Sequence, residues 1–323
     1  MSTRGRKRIL SLFGLVLLAG ALLAAPAPAA PKRVMPLPNA PMRVMSLNVC
    51  TDQLAMALAA PGQLVSVSFL AREPSLSMLH EEAKEYLANR GLAEEVFLQK
   101  PDLVVTGTYS LHNTSALLKR LGFAVEEFSF VQTLDTIPGE IRRMGSLLGR
   151  QDRAEEIATR FAAELADIKR RQCDRRPSAI AYDQNGVALG RGTLADSVLE
   201  AAGFRNLAAD LGVVGMTPFP LEQIVVQRPD VIITGKPAGA PTLGAQVPRH
   251  PAIAALPGTR IGAFVPEGSW SCGAPSVIEA VRALARLRAE IAPCPAPDHN
   301  SSERDAGEKP LRAFPHPALG APR

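Results

Sequence analysis

The stretch Glu94-Glu-Val-Phe-Leu-Gln-Lys-Pro-Asp-Leu-Val-Val-Thr-Gly107 decides the fold, because its pattern returns 128 residues later (222 minus 94) as Glu222-Gln-Ile-Val-Val-Gln-Arg-Pro-Asp-Val-Ile-Ile-Thr-Gly235. Each copy predicts a short apolar helix, a turn with a basic residue before Pro-Asp, and a β-branched strand that ends in Thr-Gly. A pattern that occurs twice at this spacing indicates two similar lobes. A cleft between two lobes predicts a bound ligand.

Short strands alternate with helices on both sides of one long helix. The alternation indicates parallel sheets covered by helices on both faces. The long helix is predicted to begin at Asp152, as its cap, and to end near Arg171. At 1.5 Å per residue it spans ~30 Å, enough to connect two lobes. The predicted fold class is therefore α/β, with two parallel-sheet lobes joined by a single bridging α-helix and a ligand cleft between them.

Two local predictions depend on short patterns. Thr51 or Asp52 is expected to cap the first helix of the fold, and residues 263–265 are expected to form its last strand. The predicted boundaries are a signal peptide at 1–29, a linker at 30–41, an N-terminal lobe at 42–149, a bridging helix at 150–172, a C-terminal lobe at 173–294, and a disordered proline-rich tail at 295–323.

The N-terminus has the pattern of a secretory signal peptide. Four basic residues at 4–8 precede an apolar run at 9–23, and Ala27-Pro28-Ala29 follows as a cleavage site with small residues. The alternative is an uncleaved anchor, which the run disfavours because it is shorter than the ~20 residues of a membrane span. We expect cleavage after Ala29 or a neighbouring alanine, and a periplasmic protein.

The net charge does not indicate a nucleic-acid partner. The formal charge is +5, but the segment 1–29 contributes four positive charges and no acids, so the rest of the chain carries +1. An almost neutral protein has no electrostatic surface for nucleic acid.

The four cysteines have three possible pairings in an oxidising compartment. Cys173 precedes the first strand of the second lobe and Cys294 follows its last helix, so this pair is the predicted disulfide. Cys50 and Cys272 then form a second pair or remain free thiols. Buried unpaired cysteines at all four positions remain an alternative.

Several segments resemble the periplasmic substrate-binding proteins of cobalamin and ferric-siderophore ABC importers: Arg43-Val-Met-Ser-Leu-Asn-Val-Cys-Thr-Asp-Gln-Leu54, Val65-Ser-Val-Ser-Phe69, Lys100-Pro-Asp-Leu-Val-Val105, the long helix, and Ser269-Trp270 ahead of Ala274-Pro275. The resemblance extends from about residue 43 to residue 291. It implies a protein without enzymatic activity or a cofactor, expected as a monomer, that binds a bulky metal chelate in the cleft and delivers it to a membrane permease.

The resemblance also implies a role for the repeated acids. In the cobalamin-binding member, one glutamate on each lobe docks against arginines of the permease, and Glu94 and Glu222 match those positions. The alternative is an ordinary acid that the helix dipole favours at a helix start. We expect both acids at the ends of the repeated units opposite the ligand site.

Ligands of open α/β sheets collect beyond the carboxyl ends of the strands. Trp270 is the only tryptophan and is expected to stack on a flat corrin, porphyrin or catecholate surface, or else to anchor its loop. The predicted ligand-binding residues are Asn48, Cys50, Thr51, Ser68, Phe69, Leu70, Thr108, Tyr109, Gln184, Met216, Phe219, Lys236 and Trp270.

The identity of the chelate stays open at this stage. Leu70, Gly107 and Met216 stand where the cobalamin-binding relative has aromatic residues, so cobalamin cannot be assumed. Basic side chains at Arg72, Arg191 and Lys236 could instead meet an anionic siderophore or the propionates of haem.

Other classes of protein match the sequence less well. The segment Gly190-Arg-Gly192-Thr-Leu-Ala195 resembles a dinucleotide loop but lacks a preceding strand of adequate length, and residues 269–273 lack the first glycine of a hydrolase elbow. Direct zinc or manganese binding needs convergent histidines, and the five histidines show no ligand spacing. No catalytic or metal-ligating set is predicted.

Overall fold

The computed structural model describes residues 40–109, 111–129, 132–236 and 242–295. The predicted signal peptide, most of the linker and nearly all of the tail lie outside the described residues. None of the helices in the described part of the chain has the length and hydropathy of a membrane span.

The first lobe is built around a five-stranded parallel sheet with the strand order β3-β2-β1-β4-β5. Its core contains Met45, Val96, Val104 and Leu118, which come from strands and covering helices alike. The strands are β1 (Val44–Ser46), β2 (Leu64–Ser68), β3 (Leu87–Asn89), β4 (Leu103–Gly107) and β5 (Val125–Phe128). The helices are α1 (Val49–Leu58), α2 (Ala93–Gln99), α3 (His112–Arg120) and α4 (Ile137–Leu148).

The helix α5 (Gln151–Arg170) is the predicted bridging helix and has 20 residues. It buries one face, formed by Ala154, Ile157, Ala158, Phe161 and Leu165. Elements of both lobes pack against it, α4 before it in the chain and the later helices α6 (Leu194–Ala201) and α11 (Ile278–Ile291) after it. The single long helix therefore joins the two sheets as the sequence predicts.

The second lobe is built around a mixed sheet of six strands, and the prediction of a purely parallel sheet is incomplete here. Four strands are parallel, β7 pairs antiparallel with β6, and β9 pairs antiparallel with β7 at the edge of the sheet. The strands are β6 (Ser178–Asp183), β7 (Val187–Leu189), β8 (Arg205–Asn206), β9 (Met216–Pro218), β10 (Val231–Ile233) and β11 (Arg260–Gly262). The remaining helices are α7 (Leu207–Asp210), α8 (Leu221–Gln227), α9 (Leu243–Gln246) and α10 (Pro251–Ala254).

The repeated segment makes the same turn in both lobes. Lys100 ends α2 with φ 46° and Arg228 ends α8 with φ 46°, so both residues adopt the left-handed conformation that stops a helix. The strand of each copy then joins a central strand, β4 beside β1 and β10 beside β6. The sequence repeat is therefore a structural repeat.

The repeated aspartate holds the start of the neighbouring central strand. The carboxylate of Asp102 accepts hydrogen bonds from the backbone N–H groups of Met42 and Arg43, each at 2.9 Å. The carboxylate of Asp230 accepts one from the backbone N–H of Ser178 at 2.7 Å and one from its hydroxyl at 2.8 Å. The Pro-Asp pair thus fastens two strands together at their amino ends.

Glu94 and Glu222 lie at the carboxyl edges of the sheets, and the prediction that they lie at the opposite ends from the ligand site is wrong. The turns at Lys100 and Arg228 reverse the chain, so each helix begins at the edge where the following strand ends. In agreement, Tyr182 lies near the carboxyl end of β6 and its pKa is raised, mainly by burial and additionally by the negative charge of Glu222.

Two predicted helix caps and one strand are corrected. Asn48, rather than Thr51 or Asp52, caps α1, because its side-chain oxygen reaches the backbone N–H of Cys50 at 2.9 Å. Asp152 lies in the first turn of α5 and is not its cap. The last strand is Arg260–Gly262 rather than 263–265, since Arg260 pairs with Val231 of β10.

The predicted disulfide Cys173–Cys294 is present in the structure. Cys50 and Cys272, whose state the sequence left open, form a second disulfide. The buried guanidinium of Arg288 donates to the sulfur of Cys294 at 2.9 Å and to the carbonyl of Arg175 at 2.7 Å. The first disulfide thus ties the start of the second lobe to the end of α11.

A candidate ligand cleft between the lobes

The first wall of the cleft is the point where the strand order of the first sheet reverses. β1 lies between β2 and β4, and the chain leaves β1 and β4 toward opposite sides of the sheet. Asn48 follows β1 and starts α1 there, and Gly107 ends β4 beside it. A Cβ on residue 107 would stand 3.1 Å from the amide nitrogen of Asn48, so the repeated glycine leaves room for this cap.

The second wall comes from β7 and α6. β7 leads into the turn at 190–193, and Thr193 caps α6 by accepting a hydrogen bond from the backbone N–H of Asp196 at 3.1 Å. The carboxylate of Asp196 in turn accepts hydrogen bonds from the N–H of Gly192 at 3.0 Å and from the side chain of Asn206 at 2.8 Å. This is the segment that resembles a dinucleotide loop, and the hydrogen bonds hold it as a rigid wall.

A third wall is the tryptophan loop, which we define as residues 266–277. It follows β11 of the second lobe in the chain but packs on the first lobe. The N–H of Gly273 donates to the side-chain oxygen of Gln132 at 2.7 Å, and the hydroxyl of Ser271 donates to the carbonyl of Ser75 at 3.2 Å. The disulfide Cys50–Cys272 joins the loop to the first turn of α1, and Trp270 lies in the wall of the cleft.

The cleft has a volume of about 540 Å³, within the range of small-molecule sites. Residues of both lobes and of the tryptophan loop line it. They are Asn48, Val49, Cys50, Thr51, Leu54, Gly107, Tyr109, Phe128, Ser129, Gln132, Asp183, Leu189, Gly192, Thr193, Leu194, Ala195, Gly215, Met216, Trp270 and Ser271.

Among these described lining residues Asp183 is the only charged one, and none is basic. The three basic residues considered from the sequence make contacts elsewhere. Arg72 donates to the carbonyl of Tyr86 at 2.7 Å, Arg191 donates to that of Ala209 at 3.3 Å, and Lys236 pairs with a glutamate. Apart from the carboxylate of Asp183, the described lining of the cleft therefore consists of apolar groups, hydroxyls and amides.

Six of the predicted ligand-binding residues come together in the cleft. They include residues at the start of α1, two aromatic residues, and a methionine from β9. The six are Asn48, Cys50, Thr51, Tyr109, Met216 and Trp270.

Seven predicted residues are not among the described lining residues. Ser68 is buried against Asp52, Phe69 lies under the guanidinium of Arg90, and Phe219 belongs to the core of the second lobe. Lys236 pairs with Glu267 at 3.3 Å. It follows β10, which lies on one side of β6, whereas the lining residues Leu189 and Met216 come from β7 and β9 on the other side. The others are Leu70, Thr108 and Gln184.

The residues that the sequence prediction missed lie mainly on short elements. β7 has three residues and no readable alternation, so its end at Leu189 and the α6 start were not selected. Phe128 ends β5 and could have been selected by the rule of carboxyl ends. Gln132 had no sequence signal.

Asp52 supports the first wall from beneath. Its side chain is fully buried, and its carboxylate accepts hydrogen bonds from the backbone N–H of Ser68 at 3.1 Å and from the hydroxyl at 2.5 Å. Burial raises the pKa of Asp52 to about 7, and the hydrogen bonds from Ser46 and Ser68 oppose that rise. The carboxyl group therefore ties α1 to the end of β2.

The family model for periplasmic binding proteins matches residues 44–265, which contain both sheets. The chain belongs to this family. The match and the two-lobed fold agree, and members of the family are periplasmic solute-binding proteins.

Two curated relatives are similar in sequence. A cobalamin-binding protein of Halobacterium salinarum is 30% identical over 140 residues, which are 42% of this chain and 38% of that relative. The chain therefore spans well under half of that relative's length. A vitamin B12-binding protein of Pectobacterium atrosepticum is 26% identical over 232 residues, which cover 68% of this chain and 76% of the relative.

Solved structures share the fold. The periplasmic vitamin B12-binding protein BtuF of Vibrio cholerae superposes with a TM-score of 0.62 at 22% identity, over 78% of this chain and 98% of that one. The periplasmic haem-binding protein RhuT of Roseiflexus sp. RS-1 superposes with a TM-score of 0.60 at 24% identity, over 77% and 97%. This chain thus shares its fold with a vitamin B12-binding protein and a haem-binding protein of the periplasm.

Proposed function

We propose that this protein is exported to the periplasm, binds a cobalamin-type corrinoid in the cleft and delivers it to an ABC permease of the inner membrane. The main support for this proposal is that the described cleft lining contains no basic side chain. A corrin with amide side chains needs hydrogen-bonding groups and apolar surface, whereas haem propionates and most ferric siderophores present net negative charge that needs compensation.

The names of the sequence relatives support the same ligand class, since two of them are a cobalamin-binding and a vitamin B12-binding protein. Trp270 and Tyr109 offer flat apolar surfaces to a macrocycle, and the hydroxyl of Thr51 and the amides of Asn48 and Gln132 can pair with amides.

Haem is the second candidate, on one specific observation. Tyr109 in the first lobe and Met216 in the second are both exposed in the cleft, and a phenol oxygen and a thioether sulfur are known haem-iron ligands. Direct binding of a bare zinc or manganese ion fits less well, because the described residues contain no cluster of three metal-binding side chains.

Titration of the purified protein with cyanocobalamin, cobinamide, haemin and a ferric catecholate siderophore distinguishes the candidates. Because Trp270 is the only tryptophan, its fluorescence reports on the cleft, and calorimetry gives the Kd without it. We expect tight one-to-one binding of the corrinoids alone. If haemin binds more tightly than the corrinoids, and Tyr109→Phe or Met216→Leu abolishes that binding, haem rather than a corrinoid is the ligand. No binding of any chelate would overturn the proposed function.

The same proposal includes a role for Glu94 and Glu222 as contacts for the permease. Both carboxylates are exposed, one on each lobe, at the start of α2 and α8. Two separated charges on two lobes can orient a partner that has two basic pockets.

A further inference from the structure

The tryptophan loop is a covalent connection between the lobes at the ligand site. Its chain comes from β11 of the second lobe, and the disulfide from Cys272 to Cys50 fastens it to α1 of the first lobe. Trp270 is two residues from Cys272 in the sequence, and Cys50 and Trp270 both line the cleft. The disulfide therefore stands next to the aromatic wall.

Close packing surrounds this connection. A Cβ on Gly268 would come within 2.6 Å of the backbone of Ser77, so the loop lies directly on the first lobe. Ser271, Gly273 and Ser276 add three hydrogen bonds to first-lobe residues, at 3.2, 2.7 and 3.3 Å. Each such bond contributes modestly, whereas ordering a loop costs conformational entropy at every residue. The disulfide is the strongest constraint on the position of Trp270.

We propose that the Cys50–Cys272 disulfide positions Trp270 for ligand binding, so that the affinity of the cleft depends on the thiol–disulfide state of this pair. The oxidised protein binds its ligand tightly, and the protein with two thiols binds it weakly. The choice of corrinoid as probe rests on the proposed function, but the effect on Trp270 does not.

The two sulfur atoms differ in access. Cys50 is half-buried in the cleft wall and Cys272 is 2% exposed, so a small dithiol reaches the sulfur of Cys50 through the cleft. The first thiolate of the dithiol attacks that sulfur, forms a mixed disulfide and releases Cys272 as a thiolate, which takes up a proton. The second thiolate of the dithiol then releases Cys50 and leaves the reagent as its own disulfide. Two electrons and two protons pass to the protein.

Ligand binding and reduction are then linked in both directions. If the oxidised form binds the ligand more tightly by some factor, the ligand must disfavour reduction by the same factor. A tenfold difference in affinity corresponds to about 30 mV in the reduction potential of the pair. A ligand in the cleft also covers Cys50, so it should slow the attack of the dithiol.

The test compares two double variants. Cys50→Ser with Cys272→Ser removes the cleft disulfide, and Cys173→Ser with Cys294→Ser removes the other disulfide as a matched control outside the cleft. We expect at least a tenfold weaker Kd for cyanocobalamin in the first variant and less than a threefold change in the second. In the wild type, saturating cyanocobalamin should lower the midpoint potential of the Cys50–Cys272 pair, measured by thiol alkylation in dithiothreitol buffers, by about 30 mV for each tenfold difference in affinity.

A readout without ligand keeps the two proposals separate. Acrylamide quenching of Trp270 fluorescence should increase at least twofold in the cleft variant and remain unchanged in the control, with circular dichroism confirming that both are folded. Unchanged quenching of Trp270 would overturn the positioning role whatever the ligand is. If quenching increases in the cleft variant but the wild type does not bind cyanocobalamin, the positioning role is supported and only the corrinoid is rejected as the ligand.

Discussion

At the scale of single residues, Asp52 supports the cleft although it is not among the residues that line it. The side chain is fully buried, yet it holds β2 to α1 through Ser68. Burial disfavours its charged form, so the native protein retains the proton to about pH 7 while the unfolded chain releases it near the ordinary value of 3.8. Proton binding by the native state therefore contributes to stability in the acid range.

This carboxyl group predicts a specific pH dependence. Between pH 4 and 7 the native state binds more protons at Asp52 than the unfolded state, so the free energy of unfolding should fall as pH rises, by at most about 1.4 kcal/mol per pH unit. Asp52→Asn should remove that slope, so that the variant gains stability relative to the wild type as pH rises. Urea unfolding at four pH values measures this slope, with the exposed residue substitution Asp174→Asn as the control. Equal slopes in Asp52→Asn and the wild type would contradict the prediction.

At the scale of elements, the repeated segment is a helix, a left-handed turn and a strand, fastened by one aspartate. Asp102 and Asp230 have the same structural role in the two lobes. Asp102 accepts hydrogen bonds from two backbone N–H groups, and Asp230 accepts them from one serine. The aspartate is kept in the repeat because a carboxylate can accept two hydrogen bonds at the start of the neighbouring strand.

Asp102→Ala and Asp230→Ala should therefore each destabilise the protein. Each removes two hydrogen bonds to a carboxylate, and partly exposed bonds of this kind are worth about 1–2 kcal/mol together. The two losses should add in the double variant, because the sites lie in different lobes and share no partner. Thermal or urea unfolding gives the values. Asp135→Ala, an exposed aspartate in a loop, is the control, and losses no larger than in this control would refute the fastening role.

The elements also show what the sequence could predict. β4 and β10 are buried, rich in β-branched residues, and lie between Pro-Asp and Thr-Gly, so the sequence alone predicts both strands and the duplication. β7 and β9 have three residues each and gain their conformation from pairing with β6 and with each other, which leaves no pattern in the sequence. The cleft wall of the second lobe was missed for this reason. The Cys50–Cys272 pair remained open because it joins residues 222 apart in the chain.

At the scale of the whole molecule, the two lobes are alike in their repeat and unlike in their sheets. The first sheet is parallel throughout, and its reversal point beside β1 forms one wall of the candidate cleft. The second sheet adds an antiparallel edge, which places β7 and α6 against the cleft. A duplicated unit thus supplies two similar supports for a site whose walls are different.

Transport should depend on the acids of both lobes together. Glu94→Arg with Glu222→Arg reverses both charges, so uptake of labelled ligand into cells or proteoliposomes should fall at least tenfold while the Kd of the ligand stays within about twofold, because charge reversal opposes docking. Glu82→Arg with Glu200→Arg, two exposed acids elsewhere on the same lobes, changes the net charge equally and should leave uptake intact. A matching loss of uptake in that control, or a weakened Kd in the first variant, would argue against docking.

The place of the two acids has a consequence for how a partner senses this protein. Glu94 stands on one lobe and Glu222 on the other, so the distance between them reports the width of the cleft. The helix α5 and the loop that Cys272 ties to Cys50 both connect the two lobes and therefore limit changes in that width. If Glu94 and Glu222 contact a partner with two fixed basic pockets, as we propose, that partner would bind only when the separation of the lobes matches the spacing of its pockets. The Cys50–Cys272 disulfide would then affect the binding of the partner as well as the position of Trp270.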